Sequence, residues 1–287
     1  MNGPSATPGG GSAGPLVLTT SHRGLGRRQR QRLSLGIQYS LFLLLLVVVA
    51  VAADWQRLGD AFARLDVARG MFPEVITIAL RNTLIYTLLA FAFGLVVGLL
   101  LALMRLSSVA PYRWFARAYI ELFRGLPALL VLFMVGYGIP VAFQDYVFVG
   151  GIYGQVAVGL GLMAAAYMAE TIRAGIQAVP KGQLEAARTL GMSYPRAMIS
   201  IVLPQAFRII IPPMTNEIIL LTKDSSLAYV LGVTFTTVEL TKFGRDTLNV
   251  EANPTPLIVV GLMYLLITLP LSQLVRWLEV RAAKGRR

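Results

Sequence analysis

Nineteen consecutive residues, Leu35 to Ala53 (LGIQYSLFLLLLVVVAVAA), carry no charge, which is about the length needed to cross the hydrocarbon core of a bilayer. Inside lipid a backbone must satisfy its own hydrogen bonds, so a lone run of this kind has only the helix available to it. Comparable runs recur at about Val75 to Met104, Ala118 to Phe143, Ile152 to Ile176, Ile201 to Leu221 and Leu257 to Trp277. The run at 201–221 is the least regular, because Pro204, Pro212, Pro213, Asn216 and Glu217 interrupt or polarise it. The pattern predicts an all-α, polytopic membrane protein with six transmembrane helices. A composition of 56% hydrophobic against 14% charged residues is far from that of a soluble domain and agrees.

A basic stretch before an apolar run also has the outline of a signal peptide. This run is long, begins late and ends in AVAADWQ, a marginal cleavage site, so we expect a retained anchor. Residues 1–34 are expected to be a disordered basic tail, rich in Pro, Gly and Ser before Arg23, Arg27, Arg28, Arg30 and Arg32.

The net charge of +12 is unevenly spread. Positive charge collects in the tail, at Arg105, Arg113 and Arg117, around Lys181, Arg188 and Arg196, and beyond Arg276. The alternate segments 54–74, 144–151 and 223–256 each carry one net negative charge. This positive-inside pattern predicts that 105–117, 178–200 and both termini are cytoplasmic. It also accounts for the basic balance without a nucleic-acid partner. The chain has no cysteine, its one histidine is His22, and no phosphate-binding G-x-x-x-x-G-K-[ST] motif occurs. Gly150-Gly151 lacks a following lysine in register. No catalytic or metal-ligating residues are expected, and ATP hydrolysis by this chain is not.

Charged groups within spans need partners or a wet cavity. Glu170 and Arg173 are spaced to neutralise each other, as a structural pair or along a translocation path. In YIELFRGLP, Glu121 and Arg124 precede Gly125 and Pro127, which are expected to break or bend the helix, as a gate or as a packing solution. Asn216 and Glu217 follow Pro212-Pro213 and precede Thr222, Lys223, Asp224, Ser225 and Ser226. Paired prolines weaken a helix, and interrupted helices hold polar solutes in membrane proteins. The other reading is a kink satisfied by its neighbours. Gly94, Gly98 and Ala102 form a small-residue stripe that lets another helix approach closely.

One stretch changes character. In Lys181 to Pro204 (KGQLEAARTLGMSYPRAMISIVLP), Leu184, Ala187 and Leu190 recur at helical spacing among polar residues. Pro180 suits a helix start, and Gly191 then permits a turn before Ser193-Tyr194-Pro195 starts a second helix. An interfacial helix lying on lipid would want a broader apolar face than this alanine-rich one. A groove on a protein partner suits it better.

Glu185, Ala186, Ala187, Gly191, Ile201, Leu203 and Pro204 fit an EAA-x3-G-x9-I-x-LP pattern. That pattern resembles the permease subunits of binding-protein-dependent ABC importers. The stretches 81–105, 121–130, 167–193 and 216–232 resemble the polar amino acid branch, which covers His, Glu, Gln, Arg and opine importers. The resemblance spans about residues 75–278 and implies a five-helix core, so 35–53 is an added N-terminal helix, 54–74 an external loop and 279–287 a second basic tail. It implies a coupling helix near 181–195, with Glu185, Ala186, Ala187 and Gly191 seated in an ATPase groove and Ile201, Leu203 and Pro204 supporting the loop. It places Arg124 and Gly125 in the region that shapes the gate, and Asn216, Glu217, Thr222, Ser225 and Ser226 along the translocation path, for which Glu170 is a candidate by its charge alone.

The implied partners are a second like or similar permease, two ABC ATPase subunits that bind ATP and Mg, an external solute-binding protein and membrane lipid. The implied location is a bacterial cytoplasmic membrane. An ion-gradient-driven transporter, with Glu170 or Glu217 as coupling carboxylate, is the alternative.

Overall fold

The computed structural model describes residues 27–144 and 146–284, and the chain divides into two compact units, Met1–Trp55 and Gln56–Arg287. In the first, α1 (Arg27–Ala52) is one uninterrupted helix. It begins inside the segment expected to be unstructured, so residues 27–34 are helical; residues 1–26, with His22 and Arg23, lie outside the described residues.

The regular elements that follow among the described residues are all helices: α2 (Trp55–Phe62), α3 (Leu65–Gly70), α4 (Val75–Leu106), α5 (Ala110–Gly125), α6 (Ala128–Ala142), α7 (Ile152–Gln177), α8 (Lys181–Thr189), α9 (Tyr194–Leu231), α10 (Leu240–Glu251) and α11 (Thr255–Lys284). Five described helices, α1, α4, α7, α9 and α11, are each long and apolar enough to cross a membrane. The expected span at 118–143 is instead two helices, α5 and α6, bent by 109°. The break falls at Leu126 and Pro127, both extended, directly after Gly125 as the sequence suggests. Counting the bent pair as one crossing gives up to six.

The centre of the unit is the seam between α4 and α7. A Cβ added to Gly94 would stand 3.0 Å from Ala164 Cβ and 3.1 Å from the Gly161 carbonyl. One added to Gly98 would stand 3.0 Å from both the Ala165 carbonyl and Met168 Cβ. Gly161 is equally confined by the Ala90 carbonyl at 3.0 Å. The glycine stripe therefore does what its spacing suggests, bringing two backbones close enough for dispersion and Cα–H contacts to hold them where lipid supplies no hydrophobic drive. Position advances together on both helices, from Gly94 beside Gly161 to Gly98 beside Ala165, so α4 and α7 run parallel. α9 lies against the later part of α7, where Gly175 faces Ile210 and Ala206.

At the end where α4 and α7 begin, α4 carries a polar clamp. Asn82, 1% exposed, donates from Nδ2 to the carbonyls of Thr236 and Val238, both at 2.9 Å, and accepts from the Tyr153 hydroxyl at 2.7 Å. Tyr86 donates to the Thr237 carbonyl at 2.7 Å, and Thr83 accepts the Leu240 N–H at 3.1 Å. Every polar atom of the Asn82 side chain is thus engaged, which makes its burial affordable and fixes the loop between α9 and α10. Glu239, fully buried, then caps α10 by accepting the N–H groups of Thr241 and Lys242. Burial pushes its carboxyl up to about 7, against the pull of those N–H bonds. Nearby, Asn253 Nδ2 donates to the Asp60 carbonyl and Thr255 Oγ1 to that of Ala61, which ties the start of α11 to the end of α2.

The paired prolines do not interrupt the chain as expected. The helix runs unbroken from Leu203 to Asp224 through Pro212 and Pro213, and tightens to 3₁₀ geometry only over Ser225–Leu231 before Gly232 at φ +76°. Pro212 is buried among helices together with Ile210, Met214 and Thr215, and such packing holds a proline-containing helix on course.

Three outcomes test this arrangement. Gly98→Leu, which must displace the α7 backbone, will lower the melting temperature of the purified protein by an amount corresponding to about 1–3 kcal/mol; Leu100→Ala, on an exposed position, will change it little. Asn82→Leu strands two carbonyls and will cost about 1–3 kcal/mol for each one left unpaired, read as earlier proteolytic nicking of the loop at 232–239. Because the folded-state pKa of Glu239 is raised, its contribution is complete near pH 4.5 and fades as pH rises through about 7. The wild-type melting temperature will therefore fall between those limits by more than that of Glu239→Gln.

Candidate docking helix and translocation face

α7 ends at Gln177, and the chain turns through Val179 and Pro180 into α8, a nine-residue helix. Its close is set by Gly191 at φ +82°. The Gly191 N–H donates to the Arg188 carbonyl at 3.0 Å and the Met192 N–H to the Ala187 carbonyl at 3.1 Å. These two bonds make a Schellman motif, and its left-handed residue is the reason a glycine stands there. Arg188 reinforces the corner by donating to the Met192 carbonyl at 2.8 Å, and Thr189 donates to the Glu185 carbonyl at 3.0 Å. The chain then re-enters a long helix at Tyr194, with Pro195 in its first turn.

The faces of α8 divide sharply. Ala187, 2% exposed, turns into the protein and Leu184 is half-buried, while Glu185 and Ala186 are exposed and Leu190 is 85% exposed. The sequence places Leu184, Ala187 and Leu190 on one apolar face; in the structure Leu190 leaves it for solvent, because the helix ends there. Ile201 and Leu203 are half-buried and Pro204 exposed where the loop joins α9, around a π-helical turn over Met198–Val202. A carboxylate, a small side chain and a bare leucine stand outward on a rigidly closed helix, a compact candidate docking face.

A second group of predicted residues meets where α4, α5 and α7 converge. Glu170 pairs with Arg173 at 2.7 Å, and also with Arg105 of α4 at 3.6 Å. Arg173 makes a further bond to Gln177 at 2.7 Å, and Arg124 at the end of α5 stacks over the Tyr167 ring at 5.6 Å. The Nε atoms of Arg105 and Arg173 are buried without a hydrogen-bond partner among the described residues. Gly125 has open space around it and ends α5. The part played by Arg105 is invisible in sequence, since only the parallel register of α4 and α7 brings it to Glu170.

The third group lies along α9 and is split by the helix. Asn216 and Lys223, seven residues apart, are exposed on one side together with Leu220. Glu217 and Ser226 are half-buried. Thr222 and Ser225 are fully buried, and their hydroxyls donate to the carbonyls of Ile218 at 2.8 Å and Thr222 at 2.7 Å. Those two hydroxyls are consumed by the helix; the open polar face is carried by Asn216 and Lys223. Among the described residues no cluster of His, Cys, Asp or Glu has the makings of a metal site.

Residues 94–284 match the family described as binding-protein-dependent transport system inner membrane component. The chain is 39% identical over 210 residues to a probable glutamine ABC transporter permease protein of Bacillus subtilis, covering 71% of this chain and 91% of that one. It is 38% identical over 209 residues to a glutamate/aspartate import permease protein of Escherichia coli O157:H7, covering 70% and 90%. A crystal structure of an amino acid ABC transporter with histidines matches with a TM-score of 0.64 at 35% identity, covering 73% of this chain and 94% of that one. An inward-facing methionine ABC transporter shares the fold, with a TM-score of 0.55 at 22% identity over 73% and 98%. A short, outward-facing polar helix between long apolar ones and a family match over most of the second unit lead to one conclusion: the chain belongs to the inner-membrane components of binding-protein-dependent transport systems, as a non-catalytic permease subunit of an ABC importer.

Proposed function

We propose that this permease forms one half of an ATP-driven importer for a polar amino acid, glutamate or glutamine or a basic amino acid, delivered by an external binding protein. The observation that carries the reading is α8, a closed helix seated on the protein through Ala187 and Leu184 with Glu185, Ala186 and Leu190 outward. A chain that supplies no ATP site needs such a handle, and family membership replaces the gradient-driven alternative. Glu185 meets positive groups of the ATPase groove, Ala186 permits close approach, and Leu190 adds a buried apolar anchor of the kind that dominates docking energy. Ala187 and Gly191 hold the helix in shape from behind, with Ile201, Leu203 and Pro204 seating its return. A second permease subunit completes the pathway, and two ATPase subunits bind ATP and Mg.

The domain plan follows: α1 as an added N-terminal helix, 54–74 as an external loop, and 75–278 as the importer core. The parallel run of α4 and α7 supports a single crossing by α5 and α6 between them, since parallel neighbours need an odd number of crossings in the intervening chain. That reading gives six crossings and cytoplasmic termini in the bacterial inner membrane, in accord with the charge distribution. Closure of the ATPases draws the α8 helices together, and α7 and α9, which flank α8 directly, carry the movement into the membrane. Asn216, Glu217, Lys223 and Ser226 line the path, and the Glu170–Arg173–Arg105 group with Arg124 and Gly125 forms its inner gate, where re-pairing of the arginines accompanies opening.

Transport of labelled Glu, Gln, Arg and His into vesicles holding the chain, its membrane partner, ATPase and binding protein will depend on ATP and on the binding protein. Glu185→Lys will lower uptake by about tenfold or more at unchanged subunit level; uptake that survives without the ATPase would contradict the assignment. The cysteine-free chain also allows a direct topology test. Met192→Cys will react with an impermeant maleimide only from the cytoplasmic side and Val250→Cys only from outside.

A further inference from the structure

Between the end of α7 and the facing flanks of α9 and α11 lies a crevice of ≈ 930 Å³. Its walls include Val179, Ile209, Pro212 and Leu278, and two guanidinium groups, those of Arg208 and Arg281, share it. Among the described residues neither arginine has an ion-pair partner, and the arginines that do pair near this end of the bundle are Arg105 and Arg173. Arg281 is held over the ring of Trp277, 4.9 Å from its centroid. Gln205, the other polar side chain on the wall, spends its amide N–H on the Ile201 carbonyl at 3.0 Å.

Two uncompensated positive charges at the mouth of an apolar crevice define the chemistry of its occupant. It carries an anionic group for the arginines and an aliphatic body for the wall. The wall is continuous with membrane-spanning helices, since Ile209 and Pro212 lie within α9 and Leu278 within α11. Basic pockets between helices at the cytoplasmic side of a membrane are suited to anionic headgroups. Arginine favours phosphate because its fork donates two parallel hydrogen bonds. A tryptophan beside the charged mouth marks the depth of the headgroup region.

We infer that this crevice seats an anionic phospholipid of the cytoplasmic leaflet, its phosphate held by Arg208 and Arg281 and its acyl chain lying along Ile209, Pro212 and Leu278. The leaflet rests on the orientation proposed above. The site is separate from the docking face of α8. A lipid wedged between α9 and α11 braces the two helices against each other at the end of the bundle nearest the motor.

Replacing Trp55 and Trp114 by Phe leaves Trp277, beside Arg281, as the only tryptophan of this chain. The transporter, assembled with tryptophan-free partner subunits in phosphatidylcholine vesicles, is titrated with brominated phosphatidylglycerol or brominated phosphatidylcholine while Trp277 fluorescence is followed. Each arginine is expected to favour the anionic lipid about fivefold, and the pair about thirtyfold. Arg208→Gln, which does not touch the reporter, will remove about fivefold of that preference, and Arg208→Gln with Arg281→Gln will abolish it. Equal quenching by the two lipids, no quenching by either because a partner subunit covers the crevice, or a preference unchanged in Arg208→Gln would overturn the inference. So would full relief of the quenching by soluble glycerol phosphate, which would reassign the site to a free anion. Maleimide labelling of Met192→Cys in the same vesicles reports orientation separately, so a wrong leaflet is distinguished from a missing site.

Discussion

Everything in the second unit hangs on the close parallel contact of α4 and α7. In lipid, apolar side chains gain little by leaving their surroundings, so two helices stay together only where their backbones approach. Gly94, Gly98 and Gly161 provide that approach, each with neighbouring atoms at about 3 Å from where a Cβ would stand. A parallel pair cannot be joined by a short turn. The intervening chain has to travel the length of the bundle, which it does as the sharply bent α5 and α6.

From that seam the two functional ends follow. At one end, the same face of α4 presents Asn82, Thr83 and Tyr86 to the loop after α9, so that loop is fastened by hydrogen bonds to a rigid helix. At the other, the parallel register sets Arg105 against Glu170, and α7 runs on into the corner that presents α8. α8 is therefore joined directly to α7, the helix packed most closely against α4. Rigid elements joined by a discrete, re-pairable ion cluster are what a two-state transporter requires.

Local features of this design were legible in the sequence. The glycine stripe, the bend after Gly125 and the turn at Gly191 each follow from backbone chemistry within a few residues. The spans were found to within a few residues at most ends for the same reason. Pro212-Pro213 leaves two readings open in the sequence, an interruption or a helix satisfied by its neighbours, and burial of Pro212 against neighbouring helices keeps α9 whole. The clamp at Asn82 has no local signature, because its partners lie 154 and 156 residues away. Thr222 and Ser225 read as pathway groups, yet both hydroxyls are spent on helix carbonyls, a distinction that depends on which way each residue faces. Leu190 shares its helical spacing with Leu184 and Ala187, yet it is exposed while Ala187 is buried, because the helix ends there.

The central claim is that α8 is the handle by which a separate ATPase moves this subunit. A photo-crosslinking residue placed at Ala186, exposed on α8, tests it directly in membranes containing the assembled transporter. The account predicts capture of the ATPase subunit at Ala186 and at Leu190, with none from the same probe at Leu100 on α4. Capture of lipid alone at Ala186, in vesicles that still transport on addition of ATP, would contradict it.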